Sequence, residues 1–371
     1  MSSPLHIHAG KTAMAHLRQH GLQAQDVAVI PAAAGGPKGL ILQGLDQYLF
    51  GEWLPGAPRQ RSLLGASIGS WRMAAACHTD PVAAFQRLAD LYCGQRYPAK
   101  PSPARVTQEI LGLLHGFVGG HEQEILTHPT QRLHVLAVRG RGRLQAPQSE
   151  LSTKLGFASA ALANLGARKH LARHMTRVVI GDSRDTLAWM PNHFDAFQTD
   201  FAALSTENLL PSLLASGTLP LIMEPVRQIA GTPSGTYWDG GMIDYHLDFP
   251  YAQMQDTHGA GAGAGLVLYP HFADHIIPGW LDKSLPWRRA GKGAHASWLD
   301  NLIMLSPSAS FIRTLPRAKL PDRTDFFHYG IDHEARIRNW KLAISASARL
   351  AEAFAAFVAK PDMATVKPLN F

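Results

Sequence analysis

The chain has 371 residues, of which 46% are hydrophobic and 17% charged, so it can bury a large core and is not a disordered or low-complexity protein. This length fits one α/β domain with an appendage. The formal net charge is +7, but the basic residues are scattered in short clusters without interleaved aromatics, which argues against nucleic-acid binding. The charge would favour peripheral contact with an anionic membrane surface, and solvated surface arginines explain it equally well.

The first 22 residues lack the apolar stretch of a cleaved signal peptide. The longest uncharged candidate for a membrane span, residues 208–223, is short and is interrupted by Pro211 and Pro220. Two cysteines are too few for a disulfide framework, and metal-ligand spacing is absent. The sequence therefore predicts a cytoplasmic protein, with peripheral membrane association as an option and without a metal or cofactor. It leaves the oligomeric state open.

Strands and helices alternate along the chain. The pattern predicts strands at 27–31, 62–64, 133–138, 177–180, 226–230, 236–238 and 265–269. It predicts helices at 10–20, 40–49, 70–78, 81–94, 105–118 and 151–174, one beyond Ser205, and a long amphipathic helix at 332–358. An Ala/Gly-rich stretch before Gly265 predicts a surface loop, and 271–330 is predicted to be irregular. The alternation favours an α/β fold whose mostly parallel sheet is covered on both faces.

The first chemical motif is Gly65-Ala66-Ser67-Ile68-Gly69, between a predicted strand and a predicted helix. A serine flanked by glycines in this setting is typical of a nucleophile elbow, because the glycines tolerate the cramped turn and the helix N-terminus provides backbone N–H groups. The pattern by itself should occur by chance in roughly one chain in eight of this length. The motif alone therefore does not separate a nucleophile from an ordinary turn.

A glycine-containing loop, AAAGGPKG, directly follows the first predicted strand. Glycines at a strand end allow backbone amides to approach an anion. The P-loop pattern fails because a glycine follows Lys38, and the G-x-G-x-x-G spacing of dinucleotide-binding loops fails too. An oxyanion hole built from the amides of Gly35 and Gly36 remains, since Pro37 has no N–H to donate. An ordinary glycine turn is the alternative.

The third motif, Asp239-Gly240-Gly241, ends the strand predicted at 236–238. An aspartate in this position can cap its own turn, or it can serve as a base that a small turn holds close to a nucleophile. Asp244 and His246 follow shortly after. We predict that both stabilise the local turn, with a place in the pocket wall as the alternative.

Taken in order, the glycine loop, the GxSxG elbow, the segment ASGTLP at 215–220 and the DGG turn resemble the patatin-like phospholipase family. The pattern of that family is a GGGx(R/K)G loop, a GxSxG elbow, an A-S-x-x-x-P segment and a DG(G/A) motif. The resemblance runs from about Val27 to Gly241, a little over half the chain. It implies a three-layer α/β/α fold with a mostly parallel central sheet. It also implies a catalytic domain at 1–270 and a C-terminal lid or helical extension at 271–371.

The resemblance further implies a serine acyl hydrolase with a Ser67–Asp239 dyad, oxyanion amides at Gly35 and Gly36, and no histidine. Its substrates would be phospholipids or related acyl esters, cleaved through an acyl-enzyme. The remaining motif positions, which would support the elbow and the loops, are Gly65, Gly69, Lys38, Gly39, Gly240, Ser216 and Pro220.

Two departures from the family pattern weaken the transfer of a substrate preference. Ala33 and Ala34 stand where an aspartate and the first glycine are common, and Met-Ile-Asp-Tyr-His follows the DGG turn where the family continues toward an Asn-Pro turn. Two other functions remain open. An acyltransferase would use the same dyad, and a lipid- or granule-binding protein would keep the fold without turnover.

An α/β-hydrolase also uses GxSxG, together with a late histidine, but it needs several strands before the elbow. Only one strand is predicted before the glycine loop and a second before Ser67, so His246, His258, His271 and His275 are predicted to be surface or loop histidines. Trp280, Trp287 and Trp298 are predicted either to form a lid or interfacial patch, or to pack the C-terminal helix on the core.

Overall fold

The computed structural model describes residues 3–254 and 265–369. The predicted Ala/Gly-rich loop before Gly265 and His258 lie outside the described residues. Within those residues the strands are β1 (Leu5–Ala9), β2 (Val27–Ala32), β3 (Arg61–Ala66), β4 (Gln131–Gly140), β5 (Met175–Gly181), β6 (Thr199–Ala203), β7 (Val226–Arg227), β8 (Thr236–Asp239), β9 (Leu266–Pro270), β10 (Leu302–Pro307) and β11 (Val366–Pro368).

The α-helices of the same residues are α1 (Lys11–His20), α2 (Gln43–Tyr48), α3 (Ile68–Ala75), α4 (Pro81–Gly94), α5 (Pro103–Val118), α6 (Glu122–Thr127), α7 (Glu150–Gly166), α8 (Leu209–Ser216), α9 (Ala309–Ile312), α10 (Thr324–Tyr329), α11 (His333–Ala346) and α12 (Ala348–Ala359). Short 3₁₀ segments connect several of them, and those at Gly36–Leu42, Gly240–Met242 and Trp280–Asp282 contribute to the site described below.

One mixed sheet joins all the strands, in the order β11-β1-β10-β9-β2-β3-β4-β5-β6, and β8 pairs with both β4 and β7. The five strands β10, β9, β2, β3 and β4 run parallel to one another, and the strands at either end of this set pair antiparallel with β1 and with β5 and β8. Strands buried on both faces are nearly continuously apolar, as the sequences of β9 and β10 show. The predicted α/β fold with a mostly parallel central sheet flanked by helices is confirmed.

The edge of β4 brings two chain segments together that are far apart in the sequence. β3 runs parallel to β4 and ends at Ala66, opposite Leu136. β8 runs antiparallel to β4 and ends at Asp239, opposite Ala137. Since β5 occupies the other edge of β4 over this stretch, β3 and β8 share one edge and their carboxyl ends meet. The residue after β3 therefore lies beside the last residue of β8.

The C-terminal part contributes more to the sheet than the sequence predicted. β10 lies between β9 and β1, and β11 pairs with β1, so residues 302–307 are a central strand where irregular structure was predicted. β1 adds a strand before the glycine loop that the pattern missed. The proposed boundary at residue 270 stays a prediction, with strands of one sheet on both sides of it.

The predicted helix at 332–358 is present as α11 and α12, with a break at Ser347. By length and composition, 333–359 is one stretch long and apolar enough to cross a membrane, which is weak support for a span because core helices pass the same test. Trp340, Leu350 and Phe354 are buried in the core in this structure. Trp280 and Trp287 are exposed and do not fit the role of core-packing residues, while Trp298 is buried beside Phe194 and His295.

Candidate active site

Ser67 lies at a sharp turn between β3 and α3. Its backbone has φ 56° and ψ −129°, a combination of dihedral angles that residues other than glycine rarely adopt. The two neighbouring glycines are required because a larger residue at either position would collide with the backbone. A Cβ at Gly65 would lie 2.4 Å from Cα of Ser70, and a Cβ at Gly69 would lie 2.0 Å from the carbonyl oxygen of Ala32. Glycines two residues before and two residues after Ser67 therefore allow this turn to pack tightly against α3 and β2.

Ser67 and Asp239 form a direct, buried pair. The Ser67 hydroxyl donates a hydrogen bond of 2.8 Å to Oδ2 of Asp239, and both residues are 5% exposed. The other carboxylate oxygen, Oδ1, accepts the backbone N–H of Gly241 at 2.7 Å. A Cβ at Gly240 would lie 2.2 Å from the carbonyl oxygen of Leu136, so glycine at this position lets the turn lie flat on β4.

Ser216, from the ASGTLP segment, links the elbow to the sheet. Its hydroxyl accepts the backbone N–H of Ser67 at 2.9 Å and donates to the carbonyl oxygen of Leu136 at 2.6 Å. From the same segment, the carbonyl oxygen of Thr218 accepts the backbone N–H of Asp239 at 2.9 Å. The segment thus forms hydrogen bonds with the backbone N–H groups of both Ser67 and Asp239. The sequence motif implied a supporting role for this segment, and these hydrogen bonds show which atoms provide it.

Burial raises the pKa of Asp239 above that of an ordinary aspartate, because desolvation disfavours the charged carboxylate. The guanidinium of Arg323, the Ser67 hydroxyl and the Gly241 amide act in the opposite direction. A carboxylate with raised proton affinity is better suited to accept a proton from a serine hydroxyl than a solvated one.

The glycine loop lies next to the pair. Gly36 and Ser67 line one cavity, while Gly35 and Asp239 line a smaller one beside it. Gly36 has φ 57°, which glycine adopts without strain. A Cβ at Gly35 would lie 2.6 Å from the ring of Phe272. The structure therefore brings together the loop and the dyad, and the oxyanion role of the Gly35 and Gly36 amides stays a prediction.

The supporting positions are also close by. Gly39 faces α3, where a Cβ would lie 3.2 Å from Cγ1 of Ile68. Pro220 lines the smaller cavity with Asp239. Ala34, at the departure from the family pattern, donates its backbone N–H to the carbonyl oxygen of Tyr245 at 2.9 Å, which fixes the loop against the segment after the DGG turn.

A largely apolar cavity of about 350 Å³ extends from Ser67. Such a volume lies within the range of small-molecule sites. Its wall comes mainly from α5, from the loop before α5, from the segment after ASG and from α10. The apolar lining includes Trp71, Val106, Ile110, Leu219, Ile222, Met223 and Phe326.

Three cations surround the loop and the dyad. Arg323 lines both cavities, Lys38 lies 5.4 Å from the Phe272 ring centroid, and Lys283 lies 5.3 Å from the Tyr245 ring centroid. Desolvation lowers the pKa of Lys38 and of Lys283, and the charge of Arg323 acts in the same direction on both, while Asp322 opposes the shift. Across 3–254 and 265–369, none of the three side chains has a carboxylate within ion-pair distance. The nearby Asp322 is paired with Lys319 instead.

Asp244 does not line either cavity. It forms a buried bidentate ion pair with Arg177, at 2.7 and 2.8 Å, and the same guanidinium binds Asp195 at 2.8 Å. The Arg177 side chain also lies over Phe194, 4.4 Å from the ring centroid. This network fixes the chain just after the DGG turn, in agreement with the predicted structural role of Asp244.

His246 and His271 lie in loops, which is one of the two predicted alternatives, but they are not surface histidines, because the structure buries both. Their Nδ1 atoms accept the backbone N–H groups of Ile277 and Ala273, and their ring centroids are 4.3 Å apart. Burial lowers the pKa of His271 to about 3 and that of His246 well below its ordinary value, so both are neutral. Neither ring lines the cavity at Ser67.

Within the described ranges, one group of metal-ligand types comes together, formed by His78, His121 and Glu124, whose nearest ligand atoms lie within 4.8 Å of one another. Arg87 lies 3.2 Å from Nε2 of His121, and Glu124 already accepts the backbone N–H of Thr79. A guanidinium at this distance opposes the binding of a second positive charge. The group lies at a different cavity from Ser67.

Sequence reasoning missed Arg323, Tyr245 and Phe272 as site residues. Arg323 comes from the region predicted to be irregular, and no local pattern distinguishes it from the other arginines. Tyr245 and Phe272 were adjacent to residues that the sequence singled out, but ring contacts with the loop depend on the packing of β9 beside β2.

No family model matches the chain, and comparison with curated proteins finds no match. Among solved structures, the crystal structure of VipD from Legionella pneumophila is similar over 94% of this chain and 70% of that chain, with a TM-score of 0.34 and 13% identity. A similarity at this level carries no argument about chemistry. The patatin-like resemblance of the motifs therefore stays a prediction.

Proposed function

We propose that this protein is a serine-dependent acyl hydrolase that cleaves carboxylic esters of lipids. The observation that carries the proposal is the Ser67–Asp239 hydrogen bond of 2.8 Å, whose serine lines an apolar cavity. A strained elbow, a buried carboxylate that accepts the hydrogen bond of the serine, and an adjacent glycine loop are the parts that acyl transfer requires.

In the proposed reaction, Oγ of Ser67 attacks the ester carbonyl carbon while Asp239 accepts the hydroxyl proton. The amides of Gly35 and Gly36 stabilise the negative charge that develops on the carbonyl oxygen, an effect worth about 3–4 kcal/mol per donor in comparable sites. Collapse of the tetrahedral intermediate breaks the C–O bond, and the departing alcohol takes the proton from Asp239. Water then attacks the acyl-enzyme, again with Asp239 as the base, and releases the acid.

The acyl chain fits the apolar cavity, and the three unpaired cations favour a substrate whose head group is anionic. Lys38 and Arg323 are half-buried, and half-buried positive charges without an anionic partner are unfavourable, so a bound anion would remove that cost. Lys283 is exposed and adds its charge at the rim. Lys38, Lys283 and Arg323 lie around the glycine loop, where the alcohol part of a bound ester would be. These charges support phospholipids over neutral acyl esters as substrates.

A fluorophosphonate probe tests the serine chemistry directly. We expect the folded protein to be labelled at Ser67 and to release fatty acid from p-nitrophenyl esters and phospholipids, and we expect Ser67→Ala to lose both properties. Heat-unfolded protein serves as the labelling control. A protein that is unlabelled and inert on every ester contradicts the proposal. A labelled protein that releases product only when an alcohol acceptor is added is an acyltransferase instead.

Arg323→Gln tests the anionic head group. We expect kcat/KM to fall about 10- to 100-fold for a phospholipid, since a charge-assisted hydrogen bond contributes about 1.5–3 kcal/mol. The p-nitrophenyl ester of the same acyl chain should be hydrolysed nearly as well as before. Because Arg323 lowers the pKa of Asp239, its loss should also move the acid limb of the rate profile to higher pH.

The kcat/KM values of the wild type and of Arg323→Gln are therefore compared at pH values where the rate of each protein no longer depends on pH. Arg313→Gln is the matched control, because Arg313 is exposed and lines neither cavity. Equal losses on the neutral and the anionic substrate would show that Arg323 acts on Asp239 or on the fold, and not on the head group.

A further inference from the structure

The helix α7 has a second apolar face that points away from the protein. Its inner face buries Gly156, Phe157, Ala160 and Asn164. On the outer side, Leu151, Leu155, Leu162 and Leu165 are each between 48% and 69% exposed, and Ala158 between them is exposed too. The spacing of four, three, four and three residues puts all five on one stripe of the helix. We call this set of residues the outer stripe.

Four exposed leucines in one row are unusual on a protein surface. Isolated exposed apolar side chains need no explanation, but contiguous apolar patches on monomers are associated with binding surfaces. Each leucine would gain about 1.5–3 kcal/mol from full burial. The remaining surface of the helix is small and polar, so the outer stripe is the feature of α7 that calls for a partner.

A tryptophan extends the outer stripe at the carboxyl end of α7. Trp287 is 67% exposed. The adjacent Arg288 donates to the carbonyl oxygen of Leu165 at 3.2 Å and to Oδ1 of Asp282 at 2.9 Å, which holds the Trp287 segment beside the helix end. An indole ring has an apolar body and a polar N–H, and this combination favours the boundary between lipid chains and head groups.

In the described part of the chain, basic residues without ion-pair partners lie in the two chain segments that precede and follow α7. The segments Gly142–Leu144 and Arg168–Arg173, which pack against α7, contain or adjoin the exposed side chains Arg141, Arg143, Lys169 and Arg173. Glu150 is the sole acidic residue between Arg139 and Met175, and it is paired with Lys154. Among the described residues, none of the four flanking cations forms an ion pair.

Asp282 connects this surface to the candidate active site. It accepts Nδ2 of Asn164 at 2.9 Å and Nη1 of Arg168 at 3.0 Å, so two residues of the α7 region are fixed to the Trp280–Asp282 segment. Trp280 in turn lines the smaller cavity with Asp239. The α7 region is therefore held directly to a segment that lines the smaller cavity of the candidate active site.

We propose that the outer stripe of α7, together with Trp287, docks the protein on an anionic lipid surface. The charge distribution selects this occupant over a second copy of the chain. Two copies packed through the stripe would bring the same cations close to one another, whereas anionic lipids attract them, at about 1 kcal/mol for each basic residue near the surface. An apolar face with basic flanks and an interfacial tryptophan is the composition of helices that lie in the membrane interface.

Vesicle co-sedimentation tests the proposal, and it is independent of catalysis when done in a Ser67→Ala background. We expect the full chain to bind vesicles of phosphatidylcholine mixed with phosphatidylglycerol, to bind pure phosphatidylcholine weakly, and to be released by salt. Leu162→Gln combined with Leu165→Gln should weaken binding roughly 10- to 100-fold, because two apolar side chains no longer enter the lipid.

The matched control is Val82→Gln combined with Leu342→Gln, two exposed apolar residues on α4 and α11. Both double variants should unfold at the same temperature as the parent, since all four side chains are exposed. The proposal is wrong if the parent does not bind anionic vesicles or if the control weakens binding equally. A dimer in solution that Leu162→Gln and Leu165→Gln abolish would assign the outer stripe to a second copy and would also overturn it.

Discussion

Asp239→Asn is expected to lower kcat for ester hydrolysis by about 10²- to 10⁴-fold, the usual contribution of a positioned general base. The amide has almost the shape of the carboxylate, so it can still accept the Gly241 N–H that holds the turn. It cannot take the Ser67 proton. The measurement is steady-state hydrolysis on the pH plateau, with Asp90→Asn on the exposed surface of α4 as the control. A variant that keeps more than a tenth of the activity would exclude Asp239 as the base.

The same substitution should change the pH dependence of stability in a defined direction. Burial raises the pKa of Asp239 in the folded state, so between the ordinary aspartate pKa and this raised value the unfolded chain ionises first. The wild type therefore loses stability as pH rises through this window, and Asp239→Asn does not. We expect the variant to be at least as stable as the wild type at neutral pH, with the difference vanishing at acidic pH.

Urea unfolding at a series of pH values measures this difference. A variant that is less stable than the wild type at neutral pH, and equal to it in acid, would show that the carboxylate stabilises the fold. The pH dependence of activity should depend on the same carboxyl group, because wild-type kcat falls in acid when Asp239 is protonated. The pH at which kcat is half-maximal should therefore lie above the ordinary aspartate pKa.

The strands that border the site could be predicted from sequence, because each one is a short apolar run next to a glycine motif. β1, β10 and β11 could not. β10 is as long as β2 and also apolar, but it lies within a stretch rich in Trp, Pro and Arg that was predicted to be irregular throughout. β11 is a three-residue edge strand that pairs with β1. Their formation depends on the assembled sheet, which local patterns do not encode.

The dyad partners were predictable from motif order, but the reason they meet was not. That reason is the register of β4, which places Leu136 opposite the end of β3 and Ala137 opposite the end of β8. The unpredicted burial of His246 and His271 has a related origin. A histidine next to a turn motif has no sequence feature that marks it as buried, and its burial depends on Tyr245 and Phe272 stacking around it.

Arg177→Met is expected to lower the free energy of unfolding by about 3–5 kcal/mol, which is typical when one partner of a buried ion pair is removed. Asp244 and Asp195 would then face each other near the core without the cation that both of them contact. Burial raises the pKa of Asp244 even with Arg177 present, so the loss of the guanidinium should favour its protonation. The stability of the variant should therefore rise more steeply than that of the wild type as pH falls.

Urea unfolding of Arg177→Met, with Arg96→Met as the control, measures the effect. The Arg96–Glu334 pair is exposed, so its loss should change stability by less than about 1 kcal/mol. Adding Asp244→Asn and Asp195→Asn to Arg177→Met should restore part of the lost stability, since no buried charge then remains unpaired. If Arg177→Met is as stable as the control, the network does not hold the chain after the DGG turn.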